Sequence, residues 1–125
     1  MNLIWWIVSL KANGVFASEM SIENVPGVYL LGDCRGRLEY ICRYAGGAED
    51  LREQVCSILE AIPRRTVREW LIQASDVALA WAQIDDPDLR SQVLRALRIR
   101  CGVGDLSSLV TQADMPPGWR SRHSL

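Results

Sequence analysis

The sequence predicts a small α+β domain, in which a mostly antiparallel β-sheet begins with a β-hairpin and is flanked by two main helices. Two short apolar runs around a turn near residue 34 predict the hairpin. Helical periodicity at residues 48–62 and 86–102 predicts the helices. The chain has 125 residues, of which 49% are hydrophobic and 23% charged, and this suits a single domain.

An apolar extension at residues 1–20 precedes the predicted domain at 21–103, and a polar tail comes after it at 104–125. The apolar run in the extension is shorter than the roughly 20 residues of a membrane span. Three interpretations stay open: a secretory signal peptide, an added strand or short helix that packs its tryptophans on the domain, and an over-long start before a domain beginning near Ser21. No basic residue precedes the run and Lys11 interrupts the segment after it, which favours the added element over the signal peptide.

The hairpin is predicted from apolar or alternating runs at residues 27–32 and 37–43. The sequence DCRG separates them, with Asp33 first and Gly36 fourth, the positions that these residue types favour in a type I turn. The strands therefore end close to this turn, and the glycines of YAGGAED are expected to break the second strand.

Each predicted strand carries one tyrosine. If the loop consists of residues 34 and 35, Tyr29 lies opposite Tyr40, and a bulge at Gly36 would shift the pairing by one residue. In either register the two rings are expected to meet on one face of the sheet, either as a cross-strand aromatic pair or as part of a site.

The first helix is predicted over residues 48–62. Glu49 and Asp50 favour its N-terminus electrostatically, and Pro63 ends it. Its apolar residues recur at helical spacing: Leu51, Val55, Ile58, Leu59 and Ile62.

Residues 67–84 fit either two strands that turn at Ser75 and Asp76 or a strand followed by a helix. The β-branched and aromatic residues favour the strands and the alanines favour a helix, so that two strands are expected. The second main helix then begins with Asp86 as its cap and Pro87 in its first turn, and Gly102 ends it. Its predicted buried stripe consists of Leu89, Val93, Ala96 and Leu97.

The formal net charge of −1 gives no global electrostatic argument for nucleic-acid binding. Lys11 is the only lysine among the 14 basic residues; arginine suits bidentate phosphate contacts, although genome base composition produces the same bias. The four cysteines lack the spacing of a metal knuckle and are expected to be mostly buried thiols of a cytoplasmic protein: Cys34, Cys42, Cys56 and Cys101.

The combination PGVYLLGD, GRLEYICR and DLREQV resembles the start of GIY-YIG nuclease domains. Gly27-Val28-Tyr29 matches the first signature, Tyr40-Ile41-Cys42 the second, and Arg43 the basic position after it. The resemblance covers residues 26–59 and extends to 77–102, where it implies a strand and then a helix.

The resemblance implies cleavage of a DNA phosphodiester with a divalent metal ion, Mg²⁺ if the domain is active. A tyrosine would act as or assist the general base, basic residues would stabilise the transition state, and a glutamate on a later helix would hold the metal. The catalytic positions implied are Tyr29, Tyr40, Arg43 and Gln54.

This chain departs from the family pattern at three of the positions that matter. Gln54 stands where the family has an arginine, and glutamine supplies no charge. The glutamate that would hold the metal is missing, because its expected place falls near Leu94. Cys42 replaces the glycine of the second signature. Cleavage is therefore expected to be weak or lost, with no metal site, while nucleic-acid contact is retained.

Two arginine clusters, one after the first helix and one on the last, are candidates for phosphate contacts, whereas the interspersed acidic residues favour a solvated face. Two other functions remain open. One is a non-enzymatic protein-interaction module of roadblock or profilin-like type, acting with a protein partner or as a homo-oligomer and exposing tryptophans on its sheet. The other is an active nuclease that uses Asp85 or Asp88 for metal. The partner predicted first is DNA, with no membrane, and the arginines proposed to bind it are Arg64, Arg65, Arg95 and Arg98.

Overall fold

A computed structural model describes residues 3–16, 21–34, 39–61, 65–101 and 114–120 of the chain. These residues form a six-stranded sheet with the order β2-β1-β5-β3-β4-β6, in which only the β4–β6 pair is parallel. The predicted α+β class is confirmed. The elements in chain order are β1 (Trp6–Ala12), β2 (Val15–Phe16), β3 (Gly27–Cys34), β4 (Tyr40–Ala48), α1 (Leu51–Ala61), α2 (Arg65–Gln73), β5 (Val77–Gln83), α3 (Pro87–Cys101) and β6 (Trp119–Arg120).

Helices cover the sheet on both faces, so the two central strands β3 and β5 are apolar along most of their length. On one face, α3 packs Val93 and Leu97 against Val28 and Leu30 of β3. The residues that β5 contributes to this face are all alanines, and their small side chains leave room for the helix: Ala78, Ala80 and Ala82. The opposite face holds α1 and α2, with Leu31, Leu51, Val55, Leu71 and Leu79 in its core.

The N-terminal segment forms an added strand, the second of the three interpretations of the sequence. β1 pairs with β5, and Asn13 and Gly14, with φ of 50° and 81°, turn the chain into β2. Lys11 is only 5% exposed, and its Nζ donates to the backbone oxygens of Leu71 at 2.9 Å and Ile72 at 3.1 Å. The charge that interrupts the apolar run therefore binds the last turn of α2.

The prediction of two strands at residues 67–84 is wrong in its first half and confirmed in its second. Residues 65–73 form α2, and β5 comes next. Trp70, Leu71 and Ala74 have helical spacing and pack into the same core cluster. This burial and the bonds from Lys11 outweigh strand propensity, which is a context-dependent preference.

The second strand of the hairpin is longer than predicted. β4 continues through the expected strand breaker to Ala48, and β3 includes Asp33 and Cys34, which the sequence places in a turn. Gly46 is required within the strand because a Cβ atom there would overlap the ring of Tyr29. The glycine allows the tyrosine to lie against the backbone of β4.

The two main helices are confirmed, with α1 beginning three residues later than predicted. Asp50 caps α1 by accepting a hydrogen bond from the Glu53 amide at 3.1 Å, and Asp86 caps α3 by accepting one from the Asp88 amide at 2.9 Å. Val93, Ala96 and Leu97 are buried as predicted. Leu89 is exposed, so its place in the buried stripe is wrong.

The described part of the expected C-terminal tail belongs to the folded unit. Trp119 is 1% exposed, and the strand it begins pairs with β4. The indole of Trp5 also donates a hydrogen bond to the backbone carbonyl oxygen of Asp114 at 2.7 Å, which links this segment to the N-terminal strand region. All four cysteines are described and are thiols rather than disulfides; Cys42 and Cys101 are buried and the other two are half-buried. None of the described helices is both long and apolar enough to cross a membrane.

Candidate functional site

The register of the hairpin separates the two signature tyrosines. Tyr29 pairs with Gly46, and Tyr40 pairs with Cys34, so the expected pairing of Tyr29 with Tyr40 is wrong. The pairing of residues 34 and 40 leaves five residues between the strand ends instead of two. A longer connection therefore moves the second tyrosine to the end of the hairpin.

The tyrosine rings also lie on opposite faces of the sheet. Tyr29 is buried in the cluster beneath α1 and α2. Tyr40 packs against the α3 cluster and stacks on Trp119, with ring centroids 5.3 Å apart and an interplanar angle of 18°. A single groove containing both phenols is therefore not formed, and the expectation of one shared face is corrected.

The surroundings of Tyr40 oppose the loss of its proton. Partial burial raises its pKa, and electrostatic repulsion from the neighbouring Cys34 and Asp76 raises it further. A general base must be deprotonated before it can accept a proton. The phenol of Tyr40 is protonated near neutral pH, which suits packing better than proton abstraction.

Arg43 forms part of a polar cluster on the α2 face. Its Nε donates to Asp33 Oδ1 at 2.9 Å, and the two side chains are only 10% and 13% exposed. The Trp70 indole donates to the other oxygen of the same carboxylate at 3.3 Å, and Tyr44 meets the Trp70 ring edge-on. We refer to Arg43, Asp33 and Trp70 as the Arg43 cluster.

A β-bulge places this cluster. The register between β3 and β4 shifts between Leu31 and Gly32, which pair with Tyr44 and Cys42. Arg43 falls between those partners, and it turns toward α2 together with Tyr44. Because Asp33 neutralises its charge in a nearly buried site, Arg43 is poorly placed to meet a phosphate.

Gln54 does not join the other predicted catalytic positions. It lies exposed on α1, between the buried side chains of Leu51 and Val55. The four positions implied by the resemblance are thus dispersed: one beneath α1 and α2, one against α3, one in the Arg43 cluster and one on the surface.

The carboxylates considered for metal binding lie far from Tyr40. Asp88 lies in the first turn of α3, and Asp85 accepts a hydrogen bond from Gln83 at 2.9 Å, both beyond the end of β5. Tyr40 lies near the start of β5, because its partner Cys34 comes directly after the residue that pairs with Val77. At about 3.3 Å per residue, the seven residues of β5 separate these ends by about 20 Å. Among the described residues, no three His, Cys, Asp or Glu side chains gather in a group that could hold a metal ion.

Two of the four arginines proposed to bind DNA share a cleft on α3. Arg95 and Arg98 are exposed and line a cleft of about 450 Å³ together with Ser91, Leu94 and Ile99. Ser91 was not predicted, although its position four residues before Arg95 places it on the same helical face. Arg64 lies outside the described residues. Arg65 begins α2, but its side chain is not among those that the structure describes.

No family model, curated protein or solved structure matched this chain.

Proposed function

We propose that this chain is a GIY-YIG-like domain that binds nucleic-acid phosphates through α3 and cleaves DNA weakly or not at all. The observation that carries the proposal is the convergence of Ser91, Arg95 and Arg98 on one open cleft. Guanidinium groups donate bidentate hydrogen bonds to phosphate oxygens, and a serine hydroxyl adds a further donor. None of the described residues that line the cleft is acidic.

The order of elements supports the GIY-YIG-like part of the proposal. The hairpin of β3 and β4 leads into α1, and β5 leads into α3, as the resemblance implies for residues 26–59 and 77–102. The dispersal of the four catalytic positions supports binding rather than cleavage, because phosphodiester hydrolysis needs its base, cation and metal around one phosphate.

The test is a titration of labelled duplex DNA, monitored by fluorescence anisotropy at two salt concentrations. Two phosphate contacts predict a slope of about −1.8 for log affinity against log salt, which means roughly tenfold weaker binding at about 200 mM than at about 50 mM. Replacing Arg95→Gln and Arg98→Gln together removes both contacts, so the slope and most of the affinity are lost.

A matched control separates local contact from net charge. The pair Arg52→Gln and Arg120→Gln removes the same charge from two residues outside the cleft. This control is expected to bind DNA nearly as well as the wild type. The proposal fails if the wild type shows no binding at low salt, or if the control weakens binding as much as the α3 variant does.

A further inference from the structure

The cleft on α3 contains two apolar side chains that phosphate binding does not use. Leu94 and Ile99 line it together with Ser91, Arg95 and Arg98. The five positions follow the spacing i, i+3, i+4, i+7 and i+8, which places them on a single face of the helix. Both apolar side chains are half-buried, whereas both arginines are exposed. Apolar surface and positive charge are therefore combined in one concave site.

This face of α3 is distinct from the face that packs on the sheet. Val93 and Leu97 belong to the buried core, and Leu94 lies one residue further along the helix, rotated by about 100°. On its inner side Leu94 packs against β4, where a Cβ atom at Gly47 would lie 3.2 Å from its Cδ2 atom. The sheet therefore fixes the apolar floor of the cleft in place before any ligand binds.

The size and the lining of the cleft favour a single strand over a duplex. Its volume of about 450 Å³ lies within the range of pockets that enclose small molecules, roughly 300–1,000 Å³, and contact with a phosphate alone requires no such pocket. A duplex keeps the faces of its bases in the stack, so apolar side chains beside the arginines would gain little from it. A single strand can place the face of an unstacked base against apolar side chains or a guanidinium plane.

We propose that the α3 cleft holds an unstacked base of single-stranded DNA. Leu94 and Ile99 contact the base, while Arg95 and Arg98 bind the phosphates on either side of it. This inference rests on the proposed function, because the same two arginines hold the DNA backbone. It adds that the domain prefers a single strand to a duplex of the same sequence.

The test compares three labelled ligands with the full wild-type chain, by fluorescence anisotropy at low salt. They are a single DNA strand, the duplex of the same sequence, and a strand of the same length whose sugars carry no bases. The base-containing single strand is expected to bind about fivefold more tightly than either of the others. Equal binding of all three ligands refutes the base contact and leaves phosphate binding in place, whereas binding of none refutes phosphate binding itself.

A matched pair of variants tests the same contact from the side of the protein. Leu94→Asn replaces the apolar floor with a polar side chain of similar size, and is expected to lower the affinity for the single strand to that for the strand without bases. The salt dependence is expected to stay unchanged, because no charge is removed. Leu89→Asn alters a leucine of the same helix that is 37% exposed and does not line the cleft, so single-strand affinity is retained. Far-ultraviolet circular dichroism checks that both variants fold. An equal loss of affinity in both variants contradicts the placement of the base.

Discussion

Removal of the Asp33 carboxylate is expected to destabilise the protein strongly. Asp33→Ala leaves the Arg43 guanidinium, whose side chain is 10% exposed, without its ion-pair partner and leaves the Trp70 indole without its acceptor. The Arg43 Nη2 atom is already buried without a hydrogen-bond partner in the described chain, so the charge has little else to bind. Removing one partner of a buried ion pair costs about 3–5 kcal/mol, a large part of the roughly 5–15 kcal/mol that stabilises a typical domain.

Urea unfolding monitored by far-ultraviolet circular dichroism measures this cost, because a shift of the midpoint at constant slope reports the change in free energy of unfolding. The double variant Asp33→Leu and Arg43→Met removes both charges and is expected to recover most of the loss, since a buried pair replaced by apolar residues is often neutral. The cycle built from Asp33→Leu, Arg43→Met and the double variant isolates the coupling energy between the two side chains. A cost below about 1 kcal/mol for Asp33→Ala would be typical of a solvated pair and would refute the structural role of Arg43.

Three further predictions concern single contacts. Lys11→Met leaves the carbonyl groups at the end of α2 without their charged donor and is expected to cost about 1–3 kcal/mol in urea unfolding. Gly46→Ala places a methyl group against the Tyr29 ring and is expected to cost about 1–3 kcal/mol, more than Gly47→Ala, where the nearest atom is a Leu94 methyl at 3.2 Å; equal costs would contradict the packing. Folding raises the pKa of Tyr40, so the contribution of this phenol to stability is present below its unfolded pKa of about 10 and is lost as pH rises through its folded pKa. Tyr40→Phe is expected to reduce this loss of thermal stability at alkaline pH, as measured in thermal melts.

The elements that sequence reasoning predicted are those determined by neighbouring residues. Asp86 and Pro87 at the start of α3 act within one turn, and both the cap and the helix are found there. α2 depends instead on distant partners, because Lys11 binds its last turn from a strand about 60 residues earlier. Its strand-like composition was therefore misleading.

The candidate site depends on register, which short motifs do not determine. The spacing of Tyr29 and Tyr40 is consistent with a two-residue loop, but the loop is longer and a bulge lies between Leu31 and Gly32. A change of register by an odd number of residues moves a side chain to the other face of a sheet. The signature residues could therefore be named from the resemblance, while their arrangement required the structure.

The interaction-module hypothesis receives support from one tryptophan and not from the others. Trp6 is exposed at the edge of the sheet, whereas Trp81 is buried behind it and Trp70 is half-buried in the Arg43 cluster.

A plasmid nicking assay with Mg²⁺ or Mn²⁺ tests most directly the claim that this domain binds phosphates without an assembled catalytic site. The assay compares wild type with Tyr40→Phe at protein concentrations that saturate DNA binding. Because the tyrosines lie on opposite faces and Arg43 is paired with Asp33, the wild type is expected to nick the plasmid no faster than the variant. Robust nicking by the wild type that Tyr40→Phe abolishes would contradict the account.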